Sequence, residues 1–182
     1  MLVYRDPGYS QPFTQTPVLL NVNDKIYIGS TVSGIDANQF MLTLSNCWAT
    51  PDRDPATTTR WNIIVNQCPS AVDGTVNIEE NGLSTIARFS FNVFRFVGDA
   101  SEVYLHCQMQ LCDVQATICS AQCPRGRADV GGIQTNENVH TTGPYREKFQ
   151  NEGESNSGKP GQTAHCAAMA TLSFAAIWGF LH

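Results

Sequence analysis

The run Glu102-Val103-Tyr104-Leu105-His106-Cys107-Gln108-Met109-Gln110-Leu111-Cys112 decides the fold class. Val103, Leu105, Cys107, Met109 and Leu111 fall on one parity; Glu102, Tyr104, His106, Gln108 and Gln110 fall on the other. Successive side chains of a strand point to opposite faces, so a period of two predicts a strand with one buried and one wet face. Cys107 is then aimed into a core. Cys112, Cys119 and Cys123 follow closely, and a buried strand running into a cysteine-dense corner predicts a small β domain stapled by disulfides.

Upstream, Ile86 to Val97 is the most apolar stretch. Phe89, Phe91 and Val93 share one parity, Phe94 and Phe96 the other. A β-bulge produces such a switch and so does a strand buried on both faces; the residues leave both open. Val76 and Ile78 form a short strand ended by Asn81-Gly82, a hairpin signal. Trp61, Ile63 and Val65 alternate into Cys68, and Phe40, Leu42 and Leu44 into Cys47. Pro51 to Thr59 between them reads as a polar loop. Lys25 to Val32 puts Ile26 and Ile28 on one face, and Val18 to Val22 is a further strand. Nothing before Pro160 keeps a helical period over a run of residues. Short strands separated by turns predict an all-β sandwich.

The chain has 182 residues, 15% of them charged, and a net charge of −5. That length suits one domain plus extras, and the charge argues against nucleic acid as a partner. Six of the seven cysteines lie between Cys47 and Cys123, with Cys166 an outlier. Zinc favours Cys-x2-Cys pairs, and none occurs, so disulfides outweigh a metal site. No Asn-x-Ser/Thr sequence is present, so N-glycosylation is not expected within the chain. Met1 to Asp6 lacks an apolar signal core, which predicts that the chain is the C-terminal part of a longer secreted protein.

Beyond Cys123 the composition changes. Pro124-Arg125-Gly126-Arg127 is basic and turn-prone, and Arg146 to Gln162 is polar and small, as a flexible stalk would be. Ala164 to Leu181 is apolar. Cys166 to Leu181 is sixteen residues, short of the ~20 that a spanning helix needs. Small residues at Ser155 to Gly158, a polar spacer and a terminal apolar run compose a glycosylphosphatidylinositol (GPI) anchor signal, with attachment at Ser155 or Asn156; a marginal transmembrane helix is the alternative.

These features occur in a specific order. Asn46-Cys47-Trp48-Ala49-Thr50-Pro51, Glu79-Glu80-Asn81-Gly82, Arg88-Phe89-Ser90, Phe94-Arg95-Phe96, Val103-Tyr104-Leu105-His106-Cys107 and Leu111-Cys112-Asp113 resemble the C-terminal half of the zona pellucida (ZP) module. Gly8-Tyr9-Ser10-Gln11-Pro12-Phe13 fits as well, so the resemblance covers about Met1 to Pro144. It implies an immunoglobulin-like β-sandwich with disulfides Cys47–Cys107, Cys68–Cys123 and Cys112–Cys119. It implies an N-terminal half upstream, with residues 1–17 as the end of the inter-domain linker and the first strand, and 18–123 as the core. Residues 124–145 would hold a cleavage site and an external hydrophobic patch, 146–163 the stalk and 164–182 the anchor signal or membrane tail. The patch maps to Val139, Gly143 and Pro144; His140 and Thr142 depart from the aliphatic pattern, which predicts a weak clamp or one at Val130 to Ile133.

The function implied is structural: an extracellular, membrane-anchored precursor that is cut and polymerises into filaments or matrix. Partners would be other ZP-module subunits, alike or different, a trypsin-like protease acting at Arg125 and Arg127, and the membrane through the anchor. The segment after the cut, Ala128 to Pro144, would fill an edge position in the sandwich until released. The alternative is a non-polymerising anchored adhesion or receptor ectodomain that presents an upstream ligand-binding region. No cofactor and no catalysis are expected. His106 adjoins Cys107, but neighbours in a strand face opposite ways, and Cys107 is expected to be oxidised. Asp52, Arg53 and Asp54 read as a solvated loop, and Trp48 and Trp61 as core or sheet packing.

Overall fold

The structure, a computed structural model, describes residues 1–98, 102–123 and 138–147. They form strands β1 (Leu2–Tyr4), β2 (Val18–Leu20), β3 (Lys25–Thr31), β4 (Phe40–Thr50), β5 (Trp61–Val65), β6 (Cys68–Pro69), β7 (Asn77–Glu80), β8 (Ile86–Asn92), β9 (Glu102–Asp113) and β10 (Val139–Glu147). Two sheets result, in the orders β1-β3-β8-β7 and β2-β10-β9-β4-β5-β6. The expected all-β fold is what the chain adopts, with no helix among the described residues.

Alternation explains the core. Ile26 and Ile28 of β3 and Phe89 and Phe91 of β8 meet Leu42, Leu44 and Ala49 of β4, Leu105 and Cys107 of β9 and Tyr145 of β10. β4 and β9 run antiparallel in one long register, and Cys47 lies directly opposite Cys107. Their disulfide joins the two central strands on the inner face, with Cα atoms 4.2 Å apart. Cys112, near the end of β9, bonds Cys119, and Cys123 bonds Cys68 on β6. The chain after β9 is thus fastened to the far edge of the sheet.

Three expectations change. First, β9 has no wet face along its middle. Leu105, His106, Cys107 and Gln108 are all buried, whereas Leu111, on the parity expected inside, is 47% exposed. On the outer face the Trp48 ring lies 5.7 Å from that of His106, and the 51–60 loop covers the pair. The indole Nε1 donates to the Pro55 carbonyl at 3.1 Å. A polar side chain tolerates burial when its hydrogen bonds are filled, so polarity did not mark the wet face. Second, the parity switch after Val93 is neither a bulge nor two-sided burial. β8 ends at Asn92, and the chain leaves the sheet there, Phe94 turning onto Phe91, Phe96 and Trp61. Third, the β7–β8 hairpin has a longer turn than Asn81-Gly82. Asn81 is instead buried against β4: its Oδ1 accepts from the Leu44 amide at 2.7 Å and its Nδ2 donates to the Leu44 carbonyl at 3.0 Å.

Candidate functional site

The region that the sequence marks for function is β10 with its seat. β10 pairs antiparallel with β9 from Val139 opposite Gln108 to Arg146 opposite Glu102, with an irregularity between Thr142 and Tyr145. On its other side Tyr145 to Glu147 run parallel to Val18 to Leu20 of β2. β10 is therefore not an edge strand throughout. Its second half is flanked on both sides, and only Val139 to Thr142 have β9 as their single strand neighbour. Val139 to Thr142, within the segment expected at an edge, thus have one open side, whereas beyond Pro144 a parallel strand from the N-terminal segment flanks β10.

Gly143 makes the irregularity possible. Its φ is +125°, and a Cβ there would stand 2.9 Å from the Val103 carbonyl oxygen. Pro144 and Val139 are half-buried. The core anchor of β10 is Tyr145, which the sequence reading missed. It packs in the hydrophobic core, and burial pushes its phenol up from the ordinary value. Glycine and proline just before it break the alternation that would have announced an inward aromatic. His140 and Thr142 are in register with Cys107 and Leu105, on the inner face. His140 is nevertheless exposed, because it borders an open groove of about 480 Å³ with Val32, Leu42, Met109 and Leu111. A polar residue fits at His140 because the groove is open to solvent.

On the outer face the seam is polar. Thr141 Oγ1 lies 2.8 Å from His106 Nδ1, and Thr50 Oγ1 lies 2.6 Å from His106 Nε2. Thr50 spends its hydroxyl hydrogen on the Asp52 carbonyl at 2.6 Å. Nε2 must then carry the ring hydrogen and donate to Thr50, leaving Nδ1 to accept from Thr141. Burial lowers the His106 pKa below 6.5, against opposing pulls from Asp52 and Asp54. At the other end of the seam Arg146 Nε donates to Glu102 Oε1 at 2.8 Å. The Tyr104 hydroxyl, which donates to Glu102, and Arg146 together hold that carboxyl below its usual value.

The remaining expected residues distribute as follows. Cys107 is in a disulfide and faces away from His106, so the two do not compose a nucleophile. Asp52, Arg53 and Asp54 lie in the covering loop, whose turns are closed by the Asp52 and Asp54 carboxylates accepting from the Asp54 and Ala56 amides. Trp48 is fully buried on the outer face; Trp61 is 38% exposed and donates to Asp73 at 2.9 Å. Met1 to Tyr4 contributes β1, paired with β3, and Val3 enters the core. Tyr9 of the Gly8–Phe13 segment packs against Tyr4, Tyr27 and Arg88, and its hydroxyl donates to Glu79 at 3.0 Å. Arg125, Arg127, Val130 to Ile133, Ser155 and Asn156 lie outside the described residues.

The profile of the ZP-C domain matches residues 1–124. The chain belongs to the ZP-C family. It is 38% identical over 160 residues to alpha-tectorin of Gallus gallus, covering 87% of this chain and 8% of that protein. It is 35% identical over 174 residues to pancreatic secretory granule membrane major glycoprotein GP2 of Rattus norvegicus, 94% of this chain and 33% of the relative. With uromodulin of Rattus norvegicus the figures are 33% over 178 residues, 98% and 26%. This ZP-C chain thus spans a third or less of the length of these curated relatives.

Proposed function

We propose that this ZP-C chain is the C-terminal module of an extracellular, membrane-anchored precursor, and that β10 is its removable strand. A trypsin-like protease cuts after Arg127. β10 then leaves, and the bared edge of β9 accepts an extended segment of another ZP-module subunit, building filaments or matrix. The observation that carries this reading is the placement of covalent and non-covalent ties. Every described strand up to β9 lies on the stapled side of Cys123, which is bonded to Cys68 on β6. β10 follows the expected cut and holds to its seat by ladder bonds, the Thr141–His106 contact, Arg146–Glu102 and Tyr145. A single cut between Cys123 and Asn138 would leave the strand with no covalent link to the module. An unpaired row of backbone groups on β9 is a template for β-augmentation. The GPI signal at Ser155 or Asn156 would keep the precursor on the membrane until the cut.

The test expresses the full-length precursor with Arg125→Ala and Arg127→Ala together. The expected result is retention on the cell surface without filaments. Filaments at wild-type levels, with a secreted species still ending near Arg127, would overturn the reading, and an anchored, uncut wild-type protein would favour the adhesion ectodomain.

A further inference from the structure

His106 is a buried side chain whose contact with Thr141 is one of the ties of β10, but whose titration the polymer reading does not use. It sits where three strands meet: on β9, bonded to Thr50 of β4 through Nε2 and to Thr141 of β10 through Nδ1. We infer that the neutral His106 ring ties β10 to the sheet, and that protonation of the ring loosens the strand. Valence fixes the sense of each bond. Thr50 already donates to Asp52, so Nε2–H is fixed as a donor and Nδ1 as the acceptor of the Thr141 hydroxyl. A proton added to Nδ1 turns that acceptor into a donor and abolishes the bond that β10 supplies in its present sense. It also places a full charge on a ring that is itself fully buried beside Trp48. When β10 departs, the ring gains water on that side and takes the proton freely.

The charged groups around the ring fix how far this goes. From the covering loop Asp52 and Asp54 favour the protonated ring and Arg60 opposes it. β4 presents Trp48 and Thr50, and β10 presents Thr141, all uncharged. On β9 the neighbours of the same face are Tyr104 and Gln108. Glu102 and Arg146 neutralise each other at the far end of the seam. His140 lies on the opposite face, in register with Cys107. Burial outweighs the two carboxylates, so the closed state prefers the neutral ring. A group with a lowered pKa in the closed state binds more protons in the open one. The hold of β10 is therefore full above the ordinary value of 6.5 and weakens as pH falls below it.

The property belongs to the uncut chain; its use in strand release rests on the function proposed above. The test follows hydrogen exchange of the β10 backbone amides in the uncut full chain at pH 7.5 and 5.5, corrected for intrinsic exchange. One group protonated only in the open state gives a rise of up to about tenfold in opening over this interval. A rise of about three- to tenfold is expected in the wild type and in H140Q, and none in H106Q. Should H106Q fail to fold, Thr141→Val takes its place: the His106 titration midpoint, read from the ring Cε1–H by NMR, moves up once the Thr141 donor is gone. Equal corrected opening at the two pH values, an H106Q response as large as that of the wild type, or an unmoved midpoint in Thr141→Val would overturn the inference. The measurement involves neither cleavage nor filaments, so its failure leaves the polymer reading standing, and the reverse.

Discussion

Asn81 and Gly82 do more than turn a hairpin. The Asn81 amide satisfies both backbone groups of Leu44, next to the irregularity between Leu44 and Asn46 where β4 shifts register against β9. Water has no access there, so Asn81→Ala strands a buried N–H and a buried C=O. Each costs about 1–3 kcal/mol when unsatisfied, and urea unfolding should show a loss of about 2–4 kcal/mol. Gly82 has φ +72°, and a Cβ would stand 2.3 Å from the Cys119 carbonyl oxygen. Gly82→Ala should therefore displace the Cys112–Cys119 loop and cost at least ~2 kcal/mol. Leu83 next door is 64% exposed; Leu83→Ala should stay within about 0.5 kcal/mol and serves as the control. Equal losses at the three positions would contradict this assignment. At Gly143 the same geometry acts on β10 alone. Gly143→Ala should raise hydrogen exchange across Val139 to Arg146 while leaving β3 and β8 protected.

At the scale of elements, the disulfides divide the labour. Cys47–Cys107 closes a loop of 60 residues within the central strand pair, and Cys112–Cys119 one of 7. On the chain-entropy account these contribute about 4 and roughly 2.4 kcal/mol. Cys112→Ala/Cys119→Ala should fold with a modestly lower Tm, whereas Cys47→Ala/Cys107→Ala should fail to be secreted or melt far lower; the reverse order would refute the division. Strands β3, β4 and β9 were legible because Ile26 and Ile28, Leu42 and Leu44, and Val103, Leu105 and Cys107 are apolar at alternate positions, although β4 changes parity between Leu44 and Cys47. Two things were not. The outer-face cluster of Trp48 and His106 depends on a loop closing over it, and Pro51 to Thr59 looks solvated when read alone. β10 hides its character because its inward residues His140 and Thr142 are polar, His140 bordering an open groove, and Gly143 and Pro144 break the period before Tyr145. A strand whose partners are remote and whose alternation is interrupted leaves little local pattern to read.

At the scale of the whole molecule, a cut changes the thermodynamics of β10 without touching a single contact. While the chain is continuous, β10 is presented to its seat at an effective concentration of the order of millimolar. After cleavage the strand must bind as a free peptide, and at micromolar protein this weakens the hold by about 4 kcal/mol, a thousandfold dilution. Against that, β10 offers one deeply buried aromatic, Tyr145, a polar seam and an exposed His140, a combination too sparse for tight binding in trans. The seat it leaves is the row of β9 groups from Glu102 to Gln108. Nicking the purified full chain after Arg127 should therefore lower Tm in a concentration-dependent way, with oligomers appearing as the β10 fragment is lost on dilution. A synthetic peptide of residues 128–147 at millimolar concentration should restore the Tm and suppress the oligomers, because it refills the same seat. A nicked protein that keeps its Tm at micromolar concentration, and whose β10 fragment still co-elutes on gel filtration, would show that the strand stays bound without its covalent link. Release by cleavage would then be ruled out.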